Sequence, residues 1–181
     1  MILDALIRPG LAEAGETARA AERIAFGGLW TNETAHDPFL PLVPAALATK
    51  RVQLGTAVAI AFPRSPAVMA YTAWDLAQVS GGRFILGLGT QVKAHIERRF
   101  GVAWDAPVER LRDYVGAVRA VWECWQTGER LRYDGPYYSL KLMTPFFSPA
   151  ALDDAGFVPR IFIAGVNRQL CRLAGEVCDG F

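Results

Sequence analysis

Two side chains in this sequence are best suited to move a proton: the carboxyl of Glu33 and the imidazole of His95. Glu33 stands in Asn32-Glu33-Thr34, at the end of a short apolar run. A carboxyl group there could serve as a general acid or bind a ligand hydroxyl. The competing role is local, with Asn32 or Thr34 capping the helix that follows. His95 comes after a second apolar run, with Arg98 and Arg99 close behind. Its ring could hydrogen-bond an anionic ring system or carry a proton, or it could be a satisfied structural histidine on a helix. Arg99 could meet a phosphate. The other outcome for the two arginines is solvent, or pairing with an acid such as Glu97.

Gly87-Leu88-Gly89 invites a dinucleotide-binding reading, but that fingerprint needs a third glycine three residues on, opening a helix. Val92 occupies that position, so the reading fails. Two explanations stay open for Gly87 and Gly89: close approach of a ligand to a strand end, or a tight turn with positive φ. The three cysteines, Cys124, Cys171 and Cys178, are odd in number and show no C-x-x-C spacing. They give neither a disulfide framework nor a zinc site, and none has a base beside it in sequence to make a thiolate. With two histidines, His36 and His95, no metal centre is expected. Trp104, Trp122 and Trp125 read as core anchors rather than a stacking platform.

The elements that must position these residues follow from hydrophobic period. Strands are expected at 2–7, 29–32, 52–60, 83–88 and 160–164. Helices are expected at 11–26, ended by Gly27-Gly28, at 38–49, at 66–78 with Pro66 in the first turn, at 106–127 and at 167–176. The fourth of these is the clearest: Leu111, Tyr114, Val115, Val118, Val121, Trp122 and Trp125 share one stripe. Asp105 is its expected N-cap and Gly128 its C-terminal stop. Asp134-Gly135 between two aromatic-rich runs marks a hairpin insertion near 131–140. Alternating strands and helices give an α/β fold with a parallel sheet. An open doubly wound sheet and a (β/α)8 barrel compete. A barrel needs eight strands and about 250 residues, whereas the 181 residues supply about five strands plus the start of a sixth at Asp179-Gly180-Phe181.

Composition narrows the partners. Nineteen Lys and Arg against 18 Asp and Glu leave a formal charge of +1, so nothing draws the chain to nucleic acid or an anionic membrane. A hydrophobic share of 52% with 20% charged residues excludes disorder. No apolar run reaches the roughly 20 residues of a membrane helix, and the N-terminus lacks the basic segment and cleavage site of a signal peptide. A cytoplasmic location is the expectation.

Several segments, in order and spacing, resemble the luciferase-like monooxygenase superfamily, most closely its branch using the deazaflavin coenzyme F-420. They are 28–33 (GLWTNE), 54–58 (LGTAV), 80–89 (SGGRFILGLG), 133–138 (YDGPYY) and 173–181 (LAGEVCDGF). The resemblance covers nearly the whole chain as one domain, 1–181. It implies a TIM barrel binding a deazaflavin, or alternatively FMN, at the C-terminal ends of its strands. It implies a cis peptide at Ala57–Val58, catalytic roles for Glu33 and His95, and coenzyme contacts at Thr34, Ala57, Val58, Gly89, His95, Ala164 and Gly165. Two positions depart from the pattern. Thr34 stands where deazaflavin dehydrogenases often have histidine. Val92 stands where the sugar-phosphate dehydrogenases have a catalytic glutamate, and valine cannot transfer a proton.

The expected activity is hydride transfer or oxygen insertion on a small organic substrate. The alternative is a truncated, non-catalytic barrel fragment acting as an oligomerisation or interaction module. With five strands and a stub, the first and last strands would lack partners. The chain is therefore expected to continue in a longer polypeptide or to bury its open side against another chain, with a homo-oligomer as the expected assembly.

Overall fold

The computed structural model describes residues 2–8, 10–152 and 157–181. Its strands are β1 (Asp4–Leu6), β2 (Gly28–Thr31), β3 (Gln53–Thr56), β4 (Ala59–Ile60), β5 (Phe84–Gly89) and β8 (Arg160–Ile163), all pairing in parallel, with β6 (Tyr133–Asp134) and β7 (Ser139–Leu140) forming a separate antiparallel hairpin. The helices are α1 (Ala14–Arg23), α2 (Leu42–Ala48), α3 (Pro66–Ser80), α4 (Lys93–Arg98), α5 (Pro107–Thr127) and α6 (Arg168–Val177).

The parallel series runs β1, β2, β3 with β4, β5, β8. Gly180 then bridges to Phe162, and the Asp179 N–H donates to the Ile161 carbonyl. The chain thus supplies five strands and the start of a sixth of a (β/α)8 barrel. The expected third strand is two short ones, because the bulge at residues 57 and 58, with a cis Ala57–Val58 peptide, interrupts its pairing. β5 is buried along its whole length, as a strand covered on both faces must be. On the concave face, Trp30 and Phe162 stack with ring centres 6.4 Å apart. Gly55 makes room, since a Cβ there would lie 2.4 Å from the Trp30 ring.

Several helix limits differ from the expectation. α1 starts at Ala14, leaving Leu11 56% exposed. It ends before the glycine pair, where Ala25 takes a left-handed φ of 66°. Gly27 and Gly28 instead make room for β1: a Cβ on Gly27 would lie 2.3 Å from Ile2, and one on Gly28 3.0 Å from Asp4. α2 begins at Leu42, with Pro41 as its cap. α3 extends to Ser80; Ser65 caps it by accepting the Val68 N–H, and Pro66 opens it. α5 has no side-chain cap at all. Ala106, not Asp105, is its N-cap, at φ 32°, while Gly128 closes it at φ 75° as expected. The core joins α3 and α5 over the sheet, with Trp74, Tyr114 and Trp122 wholly enclosed.

The hairpin is tied to α5 by a buried carboxylate. Asp113, 5% exposed, accepts the Tyr133 hydroxyl (2.7 Å) and the Tyr137 and Tyr138 N–H groups (2.8 and 2.9 Å). Burial and this carboxylate together raise the Tyr133 phenol above its ordinary range.

Candidate active site

The C-terminal ends of the parallel strands open into one cleft of about 580 Å³. Each strand end adds small or polar groups: Asn32 and Glu33 after β2, Ala57 and Val58 before β4, Gly89 at the end of β5 with Thr90 after it, Ala164 and Gly165 after β8. Trp104, Pro107 and Val108, at the start of α5, form an apolar wall. Six of the eight residues singled out from the sequence therefore lie together. Thr34 and His95 are exposed and outside the cleft lining. His95 sits on the short helix α4. The Thr34 carbonyl accepts Nη2 of Arg99 at 2.8 Å, so that arginine ties the β2 loop to the end of α4.

Glu33 is held from behind the cleft. Its side chain is 7% exposed. Oε2 accepts both the Ile60 N–H and Nη1 of Arg64, each at 2.8 Å. Nη2 of Arg64 donates to Oδ2 of Asp37 at 3.0 Å, and the guanidinium lies over the Phe39 ring. Burial opposes the Arg64 charge, but the two carboxylates outweigh it and hold the guanidinium above its ordinary range. Asp37 also accepts the Phe39 and Leu40 N–H groups through Oδ1. It thus orders the turn before α2, the task the sequence reading gave to Asn32 or Thr34. Asn32 faces the cleft instead.

The two glycines have a third explanation. Neither Gly87 nor Gly89 takes a positive φ. A Cβ on Gly87 would lie 1.8 Å from the Thr56 carbonyl oxygen, and the Thr56 hydroxyl donates to the Gly87 carbonyl at 2.7 Å. A Cβ on Gly89 would lie 2.6 Å from Cγ2 of Val58. Both glycines thus accommodate the neighbouring strand, and the one at 89 also seats a cleft residue. Trp122 and Trp125 are core residues as expected, but half-buried Trp104 packs edge-on to Phe62 (centroids 6.2 Å) and faces the cleft.

The cleft suits a flat ring system. Its floor of Ala57, Val58, Gly89, Ala164 and Gly165 carries no side chain larger than valine. Its volume falls within the roughly 300–1,000 Å³ usual for small-molecule sites. Among the described residues, no three His, Cys, Asp or Glu gather as a metal site, and no helix is long and apolar enough to cross a membrane.

The family model for luciferase-like monooxygenases matches residues 4–181. The chain belongs to that family. It is 48% identical over 178 residues to an uncharacterized protein of Mycobacterium tuberculosis, covering 98% of this chain and 52% of the relative. It is 34% identical over 183 residues to the F-420-dependent glucose-6-phosphate dehydrogenase of Nakamurella multipartita, covering 95% and 52%. The chain thus spans about half the length of these curated relatives. Among solved structures, the FMN complex of the oxygenating constituent of 3,6-diketocamphane monooxygenase from Pseudomonas putida superposes with a TM-score of 0.78. That match covers 97% of this chain and 55% of the other at 20% identity, a likeness of fold.

Proposed function

We propose that the cleft binds the deazaflavin coenzyme F-420, with FMN as the alternative, and that the protein is an oxidoreductase acting on a small organic molecule. The observation that carries this reading is the convergence of Glu33, Ala57, Val58, Gly89, Ala164 and Gly165 on one cavity at the strand ends, where α/β barrels keep their chemistry. The named F-420-dependent relative supports the deazaflavin, and the FMN-bound fold neighbour supports the alternative.

When bound, the coenzyme supplies the hydride-transferring or oxygen-activating ring. The chain's own residues supply its surroundings. Ala57, Val58, Gly89, Ala164 and Gly165 would hold the ring system, and the apolar Trp104 and Val108 would help keep water out of the cleft. Val92 lines the same cleft and offers no proton, so a substrate needing an acid at that position is not proposed. His95, on α4, and Thr34, after β2, are exposed and outside the cleft lining, so neither is assigned a contact to the ring.

Titration with oxidised F-420 and with FMN, followed by fluorescence, tests the reading. Saturable binding of one coenzyme is expected, weakened by Gly89→Val, which would fill the floor. Failure of both to bind would overturn it. The proposal includes a homo-oligomer, supported by the exposed Leu40 just before α2, Val43 and Leu47 on α2 and Val68 on α3. Sedimentation showing a monomer at micromolar concentration would remove that part.

A further inference from the structure

We infer that Arg64 is a positioning residue of the cleft: acting through Glu33, it holds the Val58–Ile60 segment in the pose that forms the floor. The consequence for ligand affinity rests on the proposed function; the clamp itself does not.

Glu33 grips the segment at two points. Its N–H donates to the Val58 carbonyl at 3.3 Å, and its Oε2 accepts the Ile60 N–H at 2.8 Å. The same oxygen accepts Nη1 of Arg64. Oε2 is thus committed to two donors of the chain itself, and through it Glu33 acts here as a strut. Arg64 is itself fixed on three sides, by the Ile60 carbonyl at 3.1 Å, by Asp37 and by the Phe39 ring. The pair is largely dry, with side-chain exposures of 21% and 7%. Loss of Arg64 leaves the Glu33 carboxylate buried without its counterpart, whereas loss of Glu33 leaves Arg64 paired with Asp37 alone. The far side of the segment rests on Gly89, where Val58 takes the space of a Cβ. Val58 is thus set between a glycine seat and a charged strut, and a small shift would alter the floor that a ring must meet.

A double-mutant cycle with Glu33→Ala and Arg64→Met, read as affinity for whichever coenzyme the wild type binds, tests the inference. Each single change is expected to weaken binding about tenfold or more, and the double mutant no further than the worse single one, because both break one clamp. Losses that multiply would overturn it, since Glu33 would then be acting on the ligand directly. A second readout needs no ligand. The Ile60 N–H has Glu33 as its acceptor, so its hydrogen exchange should speed up about tenfold or more in Arg64→Met, while the Leu54 N–H, bonded to the Arg83 carbonyl at 3.1 Å, stays unchanged. Arg64→Lys, which keeps the charge but loses the planar fork, should recover part of the protection and part of the affinity. It carries the test if Arg64→Met does not fold. Unchanged exchange at Ile60 in both variants would overturn the clamp. If exchange responds as expected but the wild type binds neither coenzyme, the proposed function fails and the clamp stands.

Discussion

Two arginines mark the two ends of the sheet, and they are satisfied in opposite ways. Arg64, at the C-terminal end, is met by two carboxylates. Arg83, at the N-terminal end, is met by neutral oxygens. Its guanidinium donates to the carbonyls of Ala46, Thr49, Val52 and Ser80 and to the Thr49 hydroxyl, all within 3.1 Å. Burial pulls Arg83 below its ordinary range, only partly offset by Glu22, whereas Arg64 is held above its own. The difference has a structural cause. Helices α2 and α3 end beside Arg83 with carbonyls that lack intrahelical partners, and one planar fork gathers them. At the other end the loops leave the strands, and side-chain acids do the holding. The lower clamp welds elements together, while the upper one sets the shape of a cavity.

The largest effect expected is at the lower clamp. Arg83→Met strands several carbonyls at about 1–3 kcal/mol each, and thermal unfolding should show a loss of about 3 kcal/mol or more. If that variant lost less stability than Arg64→Met, the contrast between the two ends would collapse. The glycines sharpen it next. Gly87→Ala meets the backbone of Thr56 and should cost about 1–3 kcal/mol by the usual penalty of overpacking. Gly89→Ala meets only a valine methyl that can turn, so its stability loss should stay within about 1 kcal/mol while coenzyme affinity falls. Equal losses of stability would show that both glycines belong to the scaffold. The smallest effect concerns acid.

Glu22 accepts the N–H groups of Lys50, Arg51 and Val52 at the turn into β3. Burial works against its charge, but these three donors hold the carboxyl below its ordinary range. A carboxyl depressed in the folded state adds stability above its unfolded value and loses it as pH falls through the folded value. Glu22→Ala should cost about 1 kcal/mol at neutral pH and flatten the acid limb of the stability curve. An unchanged acid limb would show that the turn is held without this carboxylate.

Much of the frame was legible because its signals are local. The apolar run at 83–88, the stripe on α5, Pro66 in the first turn of its helix and the Asp-Gly hairpin each declare themselves within a few residues. The cleft floor was legible through the resemblance of whole segments. The clamp was not. Its partners stand 27 and 31 positions before Arg64, and no periodicity links them. One signal was present: Arg64 is the sole charged residue between Arg51 and Asp75, and a cation in such an apolar stretch needs an acid from elsewhere. Gly87 was misread for a similar reason. What forbids a Cβ at position 87 is an oxygen of Thr56 on the neighbouring strand, which the residues beside it in sequence do not announce. The α5 cap failed because Asp105 matched a pattern of residue types, while the backbone enters the helix through Ala106 in a left-handed turn.

The hairpin tip has a consequence for anyone who would splice into this chain. Tips of exposed hairpins are ordinarily the safest places to add a tag or reporter, because little of their backbone is engaged. Here the tip is the engaged part. Gly135 leaves no room for a Cβ beside Oδ1 of Asp113, and the N–H groups of Tyr137 and Tyr138 are spent on the same carboxylate. An insertion at 135–138 would therefore pull a buried acid out of its socket on α5. One placed a few residues earlier, in the exposed stretch 128–130 after the helix stop, would meet none of these bonds. The visible turn is the lock, and the plain connector before it is the place where the chain can be opened.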